Sequence, residues 1–244
     1  REKMREVVLD TETTGLDSEK GDRIIEIGAV ELINHVSTGR VFHKYINPQI
    51  IGEMPEESYR VHGLTTDFLS DKPVFSEIVE ELFGFIGESK IIIHNAKFDT
   101  KFLNDEIRRI QVDNPEKYYQ LPYKEIDQKN TIDTLEIAKT LYPGKSASLD
   151  SLCIKFGIDI TKRVKHDALL DSRILSEVYL ELVGGKQPGF IFEKTKKGNL
   201  LNSDKSSNSK TFTRKENLAD RLTAKERSDH KDFVSKINNN FWYE

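Results

Sequence analysis

A single cysteine, Cys153, stands in these 244 residues, so no internal disulfide can form, and no set of Cys or clustered His of the kind zinc prefers is present. No apolar stretch is long enough to cross a bilayer, and no N-terminal secretory signal is seen. No membrane association and a cytoplasmic location are therefore expected. An excess of basic charge is missing too. The net charge of -4 argues against a broad electrostatic grip on duplex DNA, whose non-specific binding is driven by basic residues. What remains is a chain with 36% hydrophobic residues and a mean hydropathy of -0.56, with room for one sizeable core and an appendage.

Three separated stretches carry chemistry. The first is Glu6-Val-Val-Leu-Asp10-Thr-Glu12-Thr-Thr-Gly15, a buried-strand pattern running into turn residues. Side chains alternate faces along an extended chain, so Asp10 and Glu12 project to one side. Two unpaired carboxylates there repel unless one takes a proton or a cation compensates them. The second is Lys90-Ile-Ile-Ile-His94-Asn95-Ala-Lys-Phe98-Asp99, another apolar strand, followed by a helix from Lys97 to about Val112 that places Asp99 in its first turn. The third is His166-Asp-Ala-Leu-Leu-Asp171, where His166 precedes a helix whose apolar stripe runs through Leu169, Leu170, Ile174, Leu175, Val178, Tyr179 and Leu182. Taken singly, each has an ordinary reading: an Asx turn, a helix-start acid, a helix cap. Their joint occurrence points to one site for divalent ions on a phosphodiester.

The element order predicts an α/β fold. Strands are expected at 6–10, 24–32 and 40–46, joined by hairpin-like turns at Gly21-Asp22 and around Gly39. Helices follow at 55–62 and 75–87, then strands near 90–94 and 131–133, each leading into helices that include Ser148–Phe156. The polar, Tyr-rich stretch from Val112 to Asn130 reads as a loop insertion. After Gly185 the chain carries 13 Lys and Arg against 8 Asp and Glu. Residues 186–216 are rich in Lys, Ser and Asn and read as a solvated linker, with contact to DNA as the alternative. Gln187-Pro-Gly-Phe-Ile-Phe192 interrupts it as an apolar island, which either binds a partner or folds back as a strand. From Asn217 to Ile237 a charged helix is expected, ending at Phe241-Trp242-Tyr243, which suits an interface anchor.

Over residues 5–184 the chain resembles the DEDDh family of 3′-5′ exonucleases. Thr11, Thr13, Thr14, Gly15, Asn95, Phe98 and Ala168 fit alongside the acids and the histidine. The resemblance implies a ribonuclease-H-like mixed sheet flanked by helices with a flexible C-terminal tail. Domains are expected at 1–184 (exonuclease), 185–216 (linker) and 217–244 (partner-binding helix and aromatic end). It implies a metal-dependent enzyme in which two ions about 3.5 to 4 Å apart clamp the attacking and leaving oxygens. Hard oxygen ligands favour Mg2+ or Mn2+. Asp10 would bridge both ions, Glu12 and Asp171 would hold the one that activates water, and Asp99 would act directly or through a water. His166 would be the general base, since an imidazole can take a proton from that water.

The segment Met54-Pro-Glu-Glu57-Ser-Tyr-Arg-Val61-His62-Gly-Leu64 reads as a Pro-started short helix ending at Gly63, a connector on its own. It resembles the family's Val-His-Gly segment. On that basis Glu57 would reach the terminal 3′-hydroxyl or sugar, and His62, Val61 and Phe98 would pack on the last base, with Asp10, Glu12 and Asp171 also facing substrate. The whole layout is similar to that of proofreading subunits of bacterial replicative polymerases. It implies DNA 3′ ends as substrate, a C-terminal contact with the polymerase alpha subunit, a theta-like subunit on the catalytic domain, and a sliding clamp on residues 187–192. Two other readings fit less: a stand-alone RNA 3′-exonuclease of the same family, and a non-catalytic adaptor that binds ends.

Overall fold

The computed structural model describes residues 4–161, 163–184 and 223–235. The chain divides into two compact units, 1–191 and 192–244. The linker at 185–216, the 187–192 peptide and the Phe241-Trp242-Tyr243 terminus lie outside the described residues. In the second unit a helix spans Ala224–Ser235, inside the stretch expected to be helical.

The first unit is built on a mixed sheet of order β3-β2-β1-β4-β5. Its strands are β1 (Arg5–Thr13), β2 (Ile24–Ile33), β3 (Val36–Tyr45), β4 (Lys90–Ile93) and β5 (Thr131–Asp133). β1, β2 and β3 are antiparallel neighbours, whereas β4 runs parallel to β1 and β5 parallel to β4. Eight helices follow the first three strands. They are α1 (Glu56–His62), α2 (Thr66–Leu69), α3 (Phe75–Ile86), α4 (Ala96–Asp113), α5 (Pro115–Gln120), α6 (Thr134–Leu141), α7 (Leu149–Phe156) and α8 (Ala168–Leu182). This is the expected mixed sheet flanked by helices.

Strand alternation in β1 decides what meets at its end. Val7 and Leu9 pack with Phe75, Phe83 and Phe102 of α3 and α4, while Val8 packs with Leu175 and Tyr179 of α8. All three strand side chains are fully buried, and each contributes roughly 1.5 to 3 kcal/mol of apolar burial. The same parity sends Thr11 towards α4 and Asp10 and Glu12 towards α8. The acids of the second and third stretches sit in the first turns of those two helices.

Two expectations need correction. The β2–β3 turn is not at Gly39, which lies inside β3, but at Asn34 and His35, both at positive φ. Asn tolerates that backbone, which allows the tight turn a twisted hairpin prefers. The 112–130 stretch is not a plain insertion: α4 runs to Asp113, and α5 begins at once with Asn114 as its N-cap and Pro115 as its first residue. Leu121 and Ile126 from this region are buried in the core.

Gly28 of β2 fixes the seat of α8. A Cβ there would lie 2.2 Å from the Ala168 carbonyl carbon and the Leu169 nitrogen, and Ser172 Oγ donates to Gly28 O at 2.8 Å. Gly28→Ala should therefore push the start of α8 off the sheet and cost about 3 kcal/mol or more, measurable by urea unfolding. Wild-type stability in this variant would show that the contact is not needed.

Candidate active site

The carboxyl end of β1 meets the first turns of α4 and α8 at a cleft of about 500 Å3, lined by Asp10, Glu12, His94, Asn95, Asp150, Arg163, His166 and Asp171 among others. Each acid is held by a local device. Asp133 caps α6 through Leu135 N–H at 2.9 Å and accepts from Asn95 N–H at 3.1 Å and Ala96 N–H at 3.0 Å, so one carboxylate ties together the starts of two helices. That anchors the turn carrying Asp99, which is buried and accepts from Thr11 Oγ1 at 2.7 Å. Asp167 caps α8 through Leu170 N–H at 2.7 Å, fixing the turn that carries Asp171.

Distances bring the predicted metal and base residues together in part directly and in part through their charges. Ligand atoms of Glu12, His166 and Asp171 all lie within 4.8 Å of one another. His166 Nδ1 is 3.3 Å from Asp171 Oδ2 and 4.0 Å from Glu12 Oε1. Asp10 and Asp99 are tied to them by repulsion. Burial, and then the charges of Asp99, Glu12 and Asp171, push the Asp10 carboxyl well above its ordinary range. Burial first and then Asp171 and Glu26 raise Glu12 to about 8, and burial raises Asp99 to about 7 against the opposing Thr11 hydrogen bond. Asp171 moves the other way: burial favours its neutral form, but hydrogen bonds from His166 and Arg163 outweigh that and lower it.

Buried carboxylates that ionise only at neutral pH or above are under-compensated, and a hard divalent cation supplies the missing charge. The donor set, mostly carboxylate oxygen with one imidazole, fits such an ion. A second group among the described residues, Glu26, His43 and Asp167, has its own compensation: His43 Nε2 lies 2.6 Å from Glu26 Oε1, and that bond raises the imidazole's basicity.

Of the candidate substrate residues, Asp10, Glu12 and Asp171 line the cleft, whereas Glu57, Val61, His62 and Phe98 do not. Glu57 and Val61 of α1 are exposed and border an adjoining groove of about 690 Å3 with Thr14, Gly15 and Leu16. The two regions are joined where His166 N–H donates to Val61 O at 3.1 Å. His62 is buried, its Nδ1 accepts from Leu64 N–H at 2.9 Å, and its Nε2 has no partner among the described residues. Burial, with Lys165 and His166 nearby, lowers it to about 4, so the ring is neutral. Phe98 is half-buried against Phe102, ring centroids 4.8 Å apart. Sequence reasoning missed Asp133, Asp150 and Arg163. Asp133 ends a short strand immediately before a helix, a capping signal that could have been read; the other two carry none.

The model of the Exonuclease family matches residues 7–179, which puts the chain in that family. Solved neighbours share the fold: the nuclease domain of 3′hExo, a DEDDh family member bound to rAMP, has a TM-score of 0.60 at 19% identity, covering 74% of this chain and 92% of that one. Exonuclease X in complex with 5′ overhanging duplex DNA has a TM-score of 0.54 at 21% identity, covering 73% and 90%. Among curated relatives, DNA polymerase III subunit epsilon of Rickettsia conorii is 43% identical over 234 residues, 96% of each chain. The Salmonella typhimurium protein of the same name is 42% identical over 190 residues, 75% of this chain and 72% of that one. The chain belongs to the family of DNA polymerase III epsilon subunits.

The raised acids give a sign for pH dependence in the metal-free protein. A carboxyl that binds its proton more tightly folded than unfolded contributes stability that is complete below the unfolded value near 4 and lost as pH rises through the folded value. With Glu12 at about 8 and Asp99 at about 7, unfolding free energy in EDTA should fall by on the order of a few kcal/mol between about pH 5 and pH 9. Urea titrations should show a shallower fall for Glu12→Gln, and an equal fall in both proteins would contradict the assignment.

Proposed function

We propose that this chain is the proofreading 3′-5′ exonuclease of a bacterial DNA polymerase III, hydrolysing the terminal phosphodiester of mispaired DNA 3′ ends in the cytoplasm. The meeting of Asp10, Glu12, Asp171 and His166 at one cleft, with buried Asp99 near enough for its charge to act on Asp10, carries this reading. Asp10, Glu12, Asp99 and Asp171 would hold two divalent cations, Mg2+ or Mn2+. When bound, such ions supply charge for the attacking and leaving oxygens of an in-line displacement. Asp10 lies between the α4 and α8 acids and is suited to serve both positions. Glu12 and Asp171 belong to the His166 side, and Asp99 to the α4 side.

His166 reaches the cleft from the loop before α8, with its side chain about half exposed, and is placed to take the proton from the attacking water. It can do so without giving up a role in holding charge, which the carboxylates cannot. Val61 and Glu57 present an exposed face of α1 to the terminal nucleotide. On the family resemblance, the neutral His62, whose Nε2 has no partner among the described residues, and the half-buried Phe98 would pack on the last base, a contact that tolerates any base. The remaining contacts are proposed on the family resemblance: the polymerase alpha subunit through 217–244, the sliding clamp through Gln187–Phe192, and a theta-like subunit on the catalytic domain.

The test compares matched DNA, mismatched DNA and RNA 3′ ends in Mg2+. Mispaired DNA should be trimmed fastest, EDTA or Asp10→Ala should abolish cleavage, and His166→Ala should lower kcat roughly 100-fold or more while Mn2+ binding is retained. Preferential RNA trimming would favour the stand-alone RNA exonuclease, and intact substrate under all conditions would favour an end-binding adaptor.

A further inference from the structure

Arg163 lies in the middle of the cleft and has no part in the mechanism above. Its side chain is 8% exposed, and it comes from the loop between α7 and α8, three residues before His166. The guanidinium grips Asp171 with both arms, Nε to Oδ1 at 2.5 Å and Nη2 to Oδ2 at 2.7 Å. Nη1 donates to Asp150 in the first turn of α7. Nη2 also lies 2.9 Å from His166 Nδ1 and 3.3 Å from its Nε2. One planar cation therefore engages both oxygens of Asp171 and lies against the imidazole of the proposed base. Its charge also acts favourably on ionised Asp10 and Glu12.

We propose that Arg163 is an internal counter-ion of the cation-free cleft: its bidentate grip competes with divalent metal for Asp171, so loading the site requires the guanidinium to release that carboxylate. This rests on the reading of the acids as a cation cradle. Release also moves the guanidinium off the His166 ring, so cation loading and exposure of the base become one event. Asp150, more than half exposed, can keep the arginine tethered at the rim when Asp171 lets go. Bidentate Arg–carboxylate pairing depends on the planar fork, which lysine cannot reproduce while keeping the charge. That difference separates competition for the ligand from charge acting through space.

Calorimetric titration of the full chain with MnCl2 alone, without substrate, tests the inference on wild type, Arg163→Met and Arg163→Lys. Both variants should bind Mn2+ about 5- to 10-fold more tightly than wild type. An Arg163→Lys affinity equal to wild type leaves only through-space charge and overturns the proposal, as does weaker or unchanged binding in both. Asp150→Asn, which removes the tether without touching the grip on Asp171, gives a second route if Arg163→Met does not fold: losing the place that receives the released arginine should weaken Mn2+ binding roughly 2- to 3-fold, and unchanged or tighter binding would overturn the proposal. Absence of Mn2+ binding in every protein would instead overturn the cradle itself, and this inference with it.

Discussion

Repulsion among carboxylates that the fold forces together governs this molecule. Strand alternation in β1 sends Asp10 and Glu12 towards α8, the first turn of α8 brings Asp171, and the first turn of α4 brings Asp99 from the other side. None of these groups can move away without undoing strand pairing or a capped helix start. The cost appears as carboxyls driven to hold protons near neutral pH, and among the described residues it is partly offset by Arg163, by His166 on Asp171 and by the Thr11 hydrogen bond to Asp99. A site with this imbalance is poised for cations, and the affinity for them is the stored repulsion released.

The scaffold serves that imbalance by rigid means. Glycine at position 28 lets α8 approach β2 closely enough for Ser172 to bond the strand backbone, and Asp133 fastens α4 and α6 with one side chain. Both devices act at helix starts, where a small rotation would swing an acid out of the cleft. The loop between α7 and α8 is the contrasting part: it delivers His166 and Arg163 from irregular backbone. Residues that must exchange partners sit on irregular backbone, while those that must stay put sit on capped helices and a central strand.

Much of this was legible in the sequence, for physical reasons. Apolar runs such as Val7-Val8-Leu9 and Ile91-Ile92-Ile93 can only be buried strands in a chain this polar, and the acids follow them at fixed parity. His166 and Asp171 were legible because the apolar stripe of α8 fixes its start. The turn at Asn34-His35 was missed because Gly39 offered a stronger turn signal, yet Gly39 is tolerated within an exposed outer strand. The 112–130 stretch looked like a loop because its polar residues cover a surface, and Asn114-Pro115, a helix-start signal, was overlooked. Arg163 was invisible because a buried charge is defined by its partners, and its carboxylate partners come from the starts of α7 and α8, which only the fold brings together.

The most direct test is anomalous diffraction from crystals grown in MnCl2. Manganese peaks within bonding distance of Asp10, Glu12 and Asp171 oxygens are the predicted result, with Arg163 turned away from Asp171. Manganese bound only at the Glu26, His43 and Asp167 group, or no peak in the cleft at all, would contradict the account.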